Sequence, residues 1–252
     1  MLIDHWPLAG LRVTTPRLEL RLPDDEELAA LADLAAEGVH APDRMPFTVP
    51  WSDAPGPRRA RSVVQYHWLR RGDWTPDHWS LNLAVFRDGR PVGTQELSAD
   101  DFGVLGVVGS GSWLGLRHQG QGVGTEMRAA ILHLAFAGLG AREAVTAAFE
   151  DNARSRAVSR KLGYAPDGVR RVLPWPAGDA APTAAGPRRL AAGPRPAGDP
   201  DRPRPVPAAV RSGLASRRGG RGAGRRRGGG RRRGAGGLAG RAGAWRGMAP
   251  LT

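Results

Sequence analysis

Apolar and polar positions follow two different rhythms over the first 170 or so residues. Positions 17–22 alternate with the period of a short strand. Asp24, with Glu27 three residues later, makes a capping-box pattern; Leu28, Leu31 and Leu34 then share one helical face, and Gly38 ends it. Positions 57–71 predict a second helix with Val64 and Trp68 on one side. Leu81, Leu83 and Val85 alternate with Ser80, Asn82 and Ala84, Asp88 and Gly89 supply a tight turn, and positions 92–97 return, so this pair predicts an antiparallel hairpin. Positions 104–114 read as another strand, although their glycines weaken the pattern. Met127, Ala130, Ile131 and Leu134 then recur at helical spacing within 122–137, and Gly138 stops that run. A short buried strand at 144–149 and a helix at 155–162, ended by Gly163, complete the series. The order of elements predicts an α/β fold, with a mixed but mostly antiparallel sheet flanked by helices and one internal crossover.

From residue 172 both rhythms stop. Ala, Arg, Gly and Pro fill most of 172–252, while Phe, Tyr, Ile, Asn, Gln and His are absent. Such a segment cannot bury enough apolar surface to offset the entropy of ordering it, about 1 to 2 kcal/mol per residue. The expectation is therefore a globular domain over 1–171 and a disordered tail over 172–252. Charge divides at the same place: acidic and basic side chains nearly balance before residue 172, so the chain's net +13 arises from the tail's excess of arginine. The chain has no cysteine, which excludes disulfides, thiolate metal sites and a cysteine nucleophile. The first ten residues hold Asp4 and His5 and lack a basic start followed by an apolar run, and the most apolar window, 129–141, is interrupted by His133 and too short to span a bilayer. A soluble cytoplasmic protein without membrane contacts is expected.

The strongest chemical signal is the run Arg117, His118, Gln119, Gly120, Gln121, Gly122, Val123, Gly124, Thr125 between a predicted strand and a predicted helix. Glycines let backbone approach a ligand closely, and a helix start directs free N–H groups and partial positive charge at it, an arrangement suited to a diphosphate. The competing reading is a turn with a helix cap. A dinucleotide fold is disfavoured because Thr125 stands where its fingerprint needs glycine and Glu150 lies too far along.

Gln119, Gly122 and Gly124 match the QxxGxG element of GNAT acetyltransferases, and the surrounding GSWLGLRHQGQGVGTEMR resembles the branch containing ribosomal-protein N-terminal acetyltransferases. Asn152 and Ser155, followed by Gly163 and Tyr164, are similar to the NxxS and GY elements of the same family, and TPRLELR at 15–21 is similar to its opening. The resemblance covers about 15–171. It implies acetyl-coenzyme A, or another acyl-coenzyme A, as cosubstrate and an amine as acceptor, with no metal. It further implies that backbone groups of Ser112, Trp113 and Leu114 pair with the pantetheine arm, that Gly120, Gln121, Gly122, Val123, Gly124 and Thr125 with Gln119 hold the diphosphate, and that Asn152 contacts the cofactor near its thiol end. Asn152 also reads as a helix cap.

Transfer needs an uncharged amine, and an α-amino group has a pKa of about 8, so a base near the acceptor is required. No carboxylate lies between Phe102 and Gln119; Glu96 is the first candidate, with Asp100, Asp101 and His118 behind it. The leaving thiol benefits from a proton donor. Many family members carry Tyr seven residues after the motif Asn; Ser159 stands there in this chain, as serine does in the ribosomal-protein branch, and is assigned as that donor or as a plain helix-surface hydroxyl. Direct attack in a ternary complex follows, with strand backbone stabilising the oxyanion. Trp68, Trp74, Trp79 and Trp113 are candidates for an acceptor pocket.

The resemblance also implies two closing strands after the GY element. Positions 169–172 read as the start of the first and nothing beyond reads as the second, which suggests a GC-rich gene translated out of frame after about residue 171. A genuine tail, with Arg225 to Arg227 and Arg231 to Arg233 set in glycine, would bind nucleic acid nonspecifically through charge, and a noncatalytic scaffold with such a tail is the alternative to an enzyme.

Overall fold

The computed structural model describes residues 1–172, 188–191 and 209–211. A short helix α1 (Leu2–His5) leads into β1 (Arg12–Thr14) and β2 (Glu19–Arg21), followed by helices α2 (Asp25–Glu37) and α3 (Gly56–Gly72). The chain then runs through β3 (His78–Arg87), β4 (Arg90–Asp100), a helical turn α4 (Phe102–Leu105), β5 (Val107–Leu114) and helix α5 (Val123–His133). Strands β6 (Glu143–Thr146) and β7 (Ala148–Phe149), helix α6 (Ala153–Lys161) and strands β8 (Val169–Val172), β9 (Arg188–Ala191) and β10 (Ala209–Arg211) complete it.

Seven strands form one sheet in the order β10-β1-β2-β3-β4-β5-β6, antiparallel except for the β5/β6 pair that α5 connects. A second sheet has the order β7-β9-β8. Side-chain alternation splits the core in two. Leu81, Leu83, Val85 and Leu97 pack with Met127 and Ile131 of α5, and Ala84 and Phe86 pack on the other face with Leu28, Leu31 and Leu34 of α2 and Val63 of α3. The central sheet is therefore covered on both faces.

Local chemistry explains the elements that were legible. Asp88 and Gly89 both have positive φ (52° and 74°), the requirement of a two-residue hairpin turn whose twist matches its strands. Asp24 accepts from the Glu27 N–H at 2.8 Å while the Glu27 carboxylate accepts from the Asp24 N–H at 3.0 Å, so the capping box forms as read. Three expectations are corrected. The 104–114 segment is a strand only from Val107, because Phe102–Leu105 closes a helical turn; the 144–149 strand is two strands in different sheets, broken at Ala147; and the helix at 122–137 ends its α-helical part at His133, with a π turn over Leu134–Gly138.

The expected absence of closing strands is corrected as well, since Arg188–Ala191 lies between β7 and β8 and pairs with both, and Ala209–Arg211 pairs with β1. Runs of three or four residues are too short for a period of two to be counted in sequence. The expected disorder over 172–252, the arginine clusters and the out-of-frame reading otherwise lie outside the described residues. Among the described residues no helix is long and apolar enough to cross a membrane.

Two carboxylates make the fold acid-sensitive. Hydrogen bonding from Arg21 holds Glu27 below the usual carboxylate range. Burial pushes Glu126 up, but hydrogen bonds from Thr15 (2.5 Å) and Arg17 (2.7 Å) outweigh it and hold it low. With the folded-state pKa depressed, the unfolded chain binds more protons as pH falls, so this stability is present above the unfolded value of about 4.3 and is lost below it. Urea midpoints are expected to fall as pH drops below about 4.3, and Glu126→Gln should flatten that slope.

Candidate active site

The parallel β5/β6 pairing runs from Val107↔Glu143 to Ser110↔Thr146 and stops there. A 3.0 Å hydrogen bond from the Thr146 hydroxyl to the Ser110 carbonyl marks the apex, after which β7 departs into the second sheet. Gly111, Ser112, Trp113 and Leu114 keep β4 on one side and, among the described residues, have no strand on the other. The result is a wedge with β5 as one wall.

At the mouth of the wedge, α5 begins at Val123 with Gly122 as N-cap in the left-handed region (φ 79°) and no side-chain cap. Thr125 and Glu126 donate their N–H groups to the Gly122 carbonyl (both 3.1 Å), whereas those of Gly120, Gln121, Gly122, Val123 and Gly124 find no backbone acceptor among the described residues. Five consecutive N–H groups without a backbone acceptor thus stand at a helix start, and a Cβ at Gly120 would meet nothing within 4 Å, so the approach is open. These residues fit a diphosphate. Cations ring the loop. Arg17 donates to the Gln121 carbonyl (3.2 Å), Arg87 to the Gln121 amide oxygen (2.8 Å) and Arg154 to the Gln119 amide oxygen (3.0 Å). His118 is pushed below its usual pKa by burial and then by Arg117 and Arg87, with Glu37 opposing. Gln119 acts as a brace, donating to the carbonyls of Val39 (2.8 Å) and Leu114 (3.0 Å) and so tying the loop to the end of β5.

Glu96 lies on β4 opposite Gly111 and is 8% exposed. Its carboxylate accepts from the Ser80 hydroxyl at 2.5 Å and from the Tyr66 hydroxyl at 3.1 and 3.2 Å. Burial, then the negative charge of Glu96, raises the Tyr66 pKa, so the phenol stays protonated as a donor. A Cβ at position 111 would stand 3.4 Å from the Glu96 carboxylate, so glycine leaves the carboxylate beside the bare strand segment. Neighbouring polar groups share that face: Asn82 and Thr94 are buried on β3 and β4 with side-chain atoms that have no partner among the described residues. Asp100 is hydrogen-bonded to His78 and largely exposed, Asp101 opens the α4 turn, and His118 sits on the outer loop, so none of these alternatives shares the position of Glu96.

The remaining predicted residues lie as follows. Asn152 is the N-cap of α6 and accepts from the Ser155 N–H at 3.1 Å. Ser159 donates to the Ser155 carbonyl (3.1 Å) and accepts from Arg128 (3.2 Å). The tryptophans do not converge. Trp113 packs against Trp51 (5.8 Å) near the wedge, Trp74 and Trp79 stack with each other in the main core, and Trp68 is exposed. Sequence reasoning missed Tyr66, Ser80 and Arg128. Arg128 carried a readable signal, since it falls four residues after Gly124 and three before Ile131, on a buried helical face.

The family model for the acetyltransferase (GNAT) domain matches residues 17–165. This chain belongs to the GNAT acetyltransferase family. It is an acyl-coenzyme A-dependent N-acetyltransferase by that membership. Solved structures share the fold. Mycobacterium smegmatis RimJ in complex with a coenzyme A disulfide is 21% identical, with a TM-score of 0.53, covering 72% of this chain and 84% of that one. RimL, a ribosomal L7/L12 alpha-N-protein acetyltransferase in complex with coenzyme A, is 20% identical with a TM-score of 0.52, covering 72% and 96%. An acetyltransferase from Salmonella typhimurium described as modifying the N-terminal serine of ribosomal protein L7/L12 is 18% identical with a TM-score of 0.53, covering 71% and 94%.

Proposed function

We propose that this GNAT protein transfers an acetyl group from acetyl-coenzyme A to a primary amine, either a protein N-terminus or a small amine, by direct attack in a ternary complex. The observation that carries the reading is the carboxylate of Glu96 beside the unpaired segment of β5, with the free N–H groups of residues 120–124 at the mouth of the same wedge. Backbone groups of Ser112, Trp113 and Leu114 hold the pantetheine arm as an added strand. The N–H groups of Gly120, Gln121, Gly122, Val123 and Gly124 hold the diphosphate, with Thr125 and Gln119 fixing the loop around them. Asn152 faces the thiol end while it caps α6.

Glu96 takes a proton from the acceptor ammonium, and Tyr66 and Ser80 orient its carboxylate by donating to it. A backbone N–H of β5 donates to the thioester carbonyl oxygen as negative charge develops there. Ser159 stands at the thiol end, its hydroxyl between the Ser155 carbonyl and Arg128. The polar face around Asn82 and Thr94 favours an acceptor whose amine is flanked by hydrogen-bonding groups, as at a peptide N-terminus.

The test is direct because the chain has no thiol of its own. A thiol-reactive dye added to purified protein, acetyl-coenzyme A and a panel of N-terminal peptides and small amines should report thiol release that requires the amine. No release with any amine or any acyl thioester would overturn the reading.

A further inference from the structure

Arg128 projects from the second turn of α5 into the wedge and is only 5% exposed. One guanidinium nitrogen donates to the Ser112 hydroxyl on β5 and the other to the Ser159 hydroxyl on α6, both at 3.2 Å. Its Nε has no hydrogen-bond partner, and among the described residues no carboxylate forms an ion pair with it. The guanidinium thus spans the two sides of the wedge with neutral partners only. Arginine does not lose its proton in proteins, so among the described residues this is a buried cation without a counterion, an arrangement that is costly unless an anion arrives.

The proposed reaction generates one anion inside the wedge that the resting protein lacks. The ammonium first loses one proton through Glu96 to solvent; the amine nitrogen then bonds to the carbonyl carbon, the carbon–sulfur bond breaks, the second proton lost by that nitrogen passes to the freed Glu96 carboxylate, and the sulfur leaves as a thiolate. We propose that Arg128 stabilises that leaving thiolate, which makes it a catalytic residue of the transfer. The inference rests on reading the wedge as the thioester site. Two observations favour charge over a proton as what this corner delivers. The Ser159 hydroxyl directs its hydrogen at the Ser155 carbonyl (3.1 Å) and its lone pair at Arg128, so its own proton is engaged. Ser112, the other partner, belongs to the bare segment against which the pantetheine arm lies, so guanidinium and sulfur share one wall.

The experiment uses the full chain, its Arg128→Met and Arg128→Lys variants, and coenzyme A as the probe. Calorimetry first establishes that coenzyme A binds each protein; the ultraviolet absorbance of the thiolate then gives the pKa of the bound thiol. In the parent protein that pKa should lie at least about one unit below the value for free coenzyme A titrated in the same buffer. Arg128→Met should bring it back to that value or above, while Arg128→Lys, which keeps a charge, should retain part of the shift. In steady state, Arg128→Met should lower kcat by about 100-fold with KM for acetyl-coenzyme A changed by less than about threefold. An unshifted thiol pKa in the parent protein overturns the proposal, and so does an Arg128→Met variant with parental kcat. A third overturning result is an Arg128→Met variant whose only change is lost preference for acyl groups that end in a carboxylate, which would assign the guanidinium to the donor's acyl chain. If coenzyme A fails to bind the parent protein at all, the wedge reading itself falls and takes this inference with it, an outcome that calorimetry separates from the others.

Discussion

Glu96→Gln is expected to lower kcat/KM by about 10³-fold at neutral pH while leaving the thermal midpoint within a few degrees of the parent protein. Glutamine keeps the shape of the side chain and an oxygen that accepts from Ser80 at the position where the carboxylate accepts at 2.5 Å. What it loses is the ability to take a proton. An α-amino acceptor with a pKa of about 8 is mostly ammonium at neutral pH, so the variant depends on the small uncharged fraction. Its rate should climb with pH toward that pKa and narrow the gap to the parent, whereas the parent depends on pH less steeply. A variant with parental kcat/KM at neutral pH would remove Glu96 from the chemistry. Because Tyr66 donates to the same carboxylate at 3.1 Å, Tyr66→Phe serves as a milder companion that disturbs orientation and keeps the base.

Gly122→Val should weaken coenzyme A binding by about 100-fold or more in calorimetry. Position 122 has φ 79°, where a side chain costs about 1 to 2 kcal/mol and a β-branched one more. A Cβ there would also stand 3.4 Å from the Arg17 guanidinium, which is tied to Glu126 and to the Gln121 carbonyl. Relief of the strain requires the loop to move, and the loop is what aims the free N–H groups. Charge-assisted hydrogen bonds contribute about 1.5 to 3 kcal/mol each, so losing two of the five accounts for the expected drop. Gly140→Val is the control. It has the same handed backbone (φ 72°) with open space around it, and it lies after α5, away from the wedge. Equal loss of stability in both variants with loss of affinity only in Gly122→Val would isolate the role of the loop; equal loss of affinity in both would dismiss it.

Much of the fold was legible where chemistry is local. The capping box at Asp24, the Asp88–Gly89 turn and the glycine loop before α5 each depend on residues within a few positions of one another, so their sequence determines them. The wedge was inferred only through family resemblance, because it arises from where β6 stops pairing with β5, which is a property of two segments more than thirty residues apart. Glu96 was named first, ahead of Asp100, Asp101 and His118, for its place late in the strand before β5, while the partners that orient it come from α3 and β3 and leave no local trace. Arg128 was readable only as a charge at core-facing helical spacing, and a charge there is easily assigned to solvent. Arg17 entered as part of an opening motif, and its work as a strap between Glu126 and the glycine loop emerged only in three dimensions. The tryptophans misled because aromatic residues are used for core packing as readily as for pockets.

In the proposed reaction the donor becomes a temporary building block of the protein. It would complete the hydrogen bonds that β6 leaves unmade along β5 past Ser110, so the protein's stability would vary with the supply of thioester. Mass action then raises the melting temperature whenever that supply exceeds the dissociation constant.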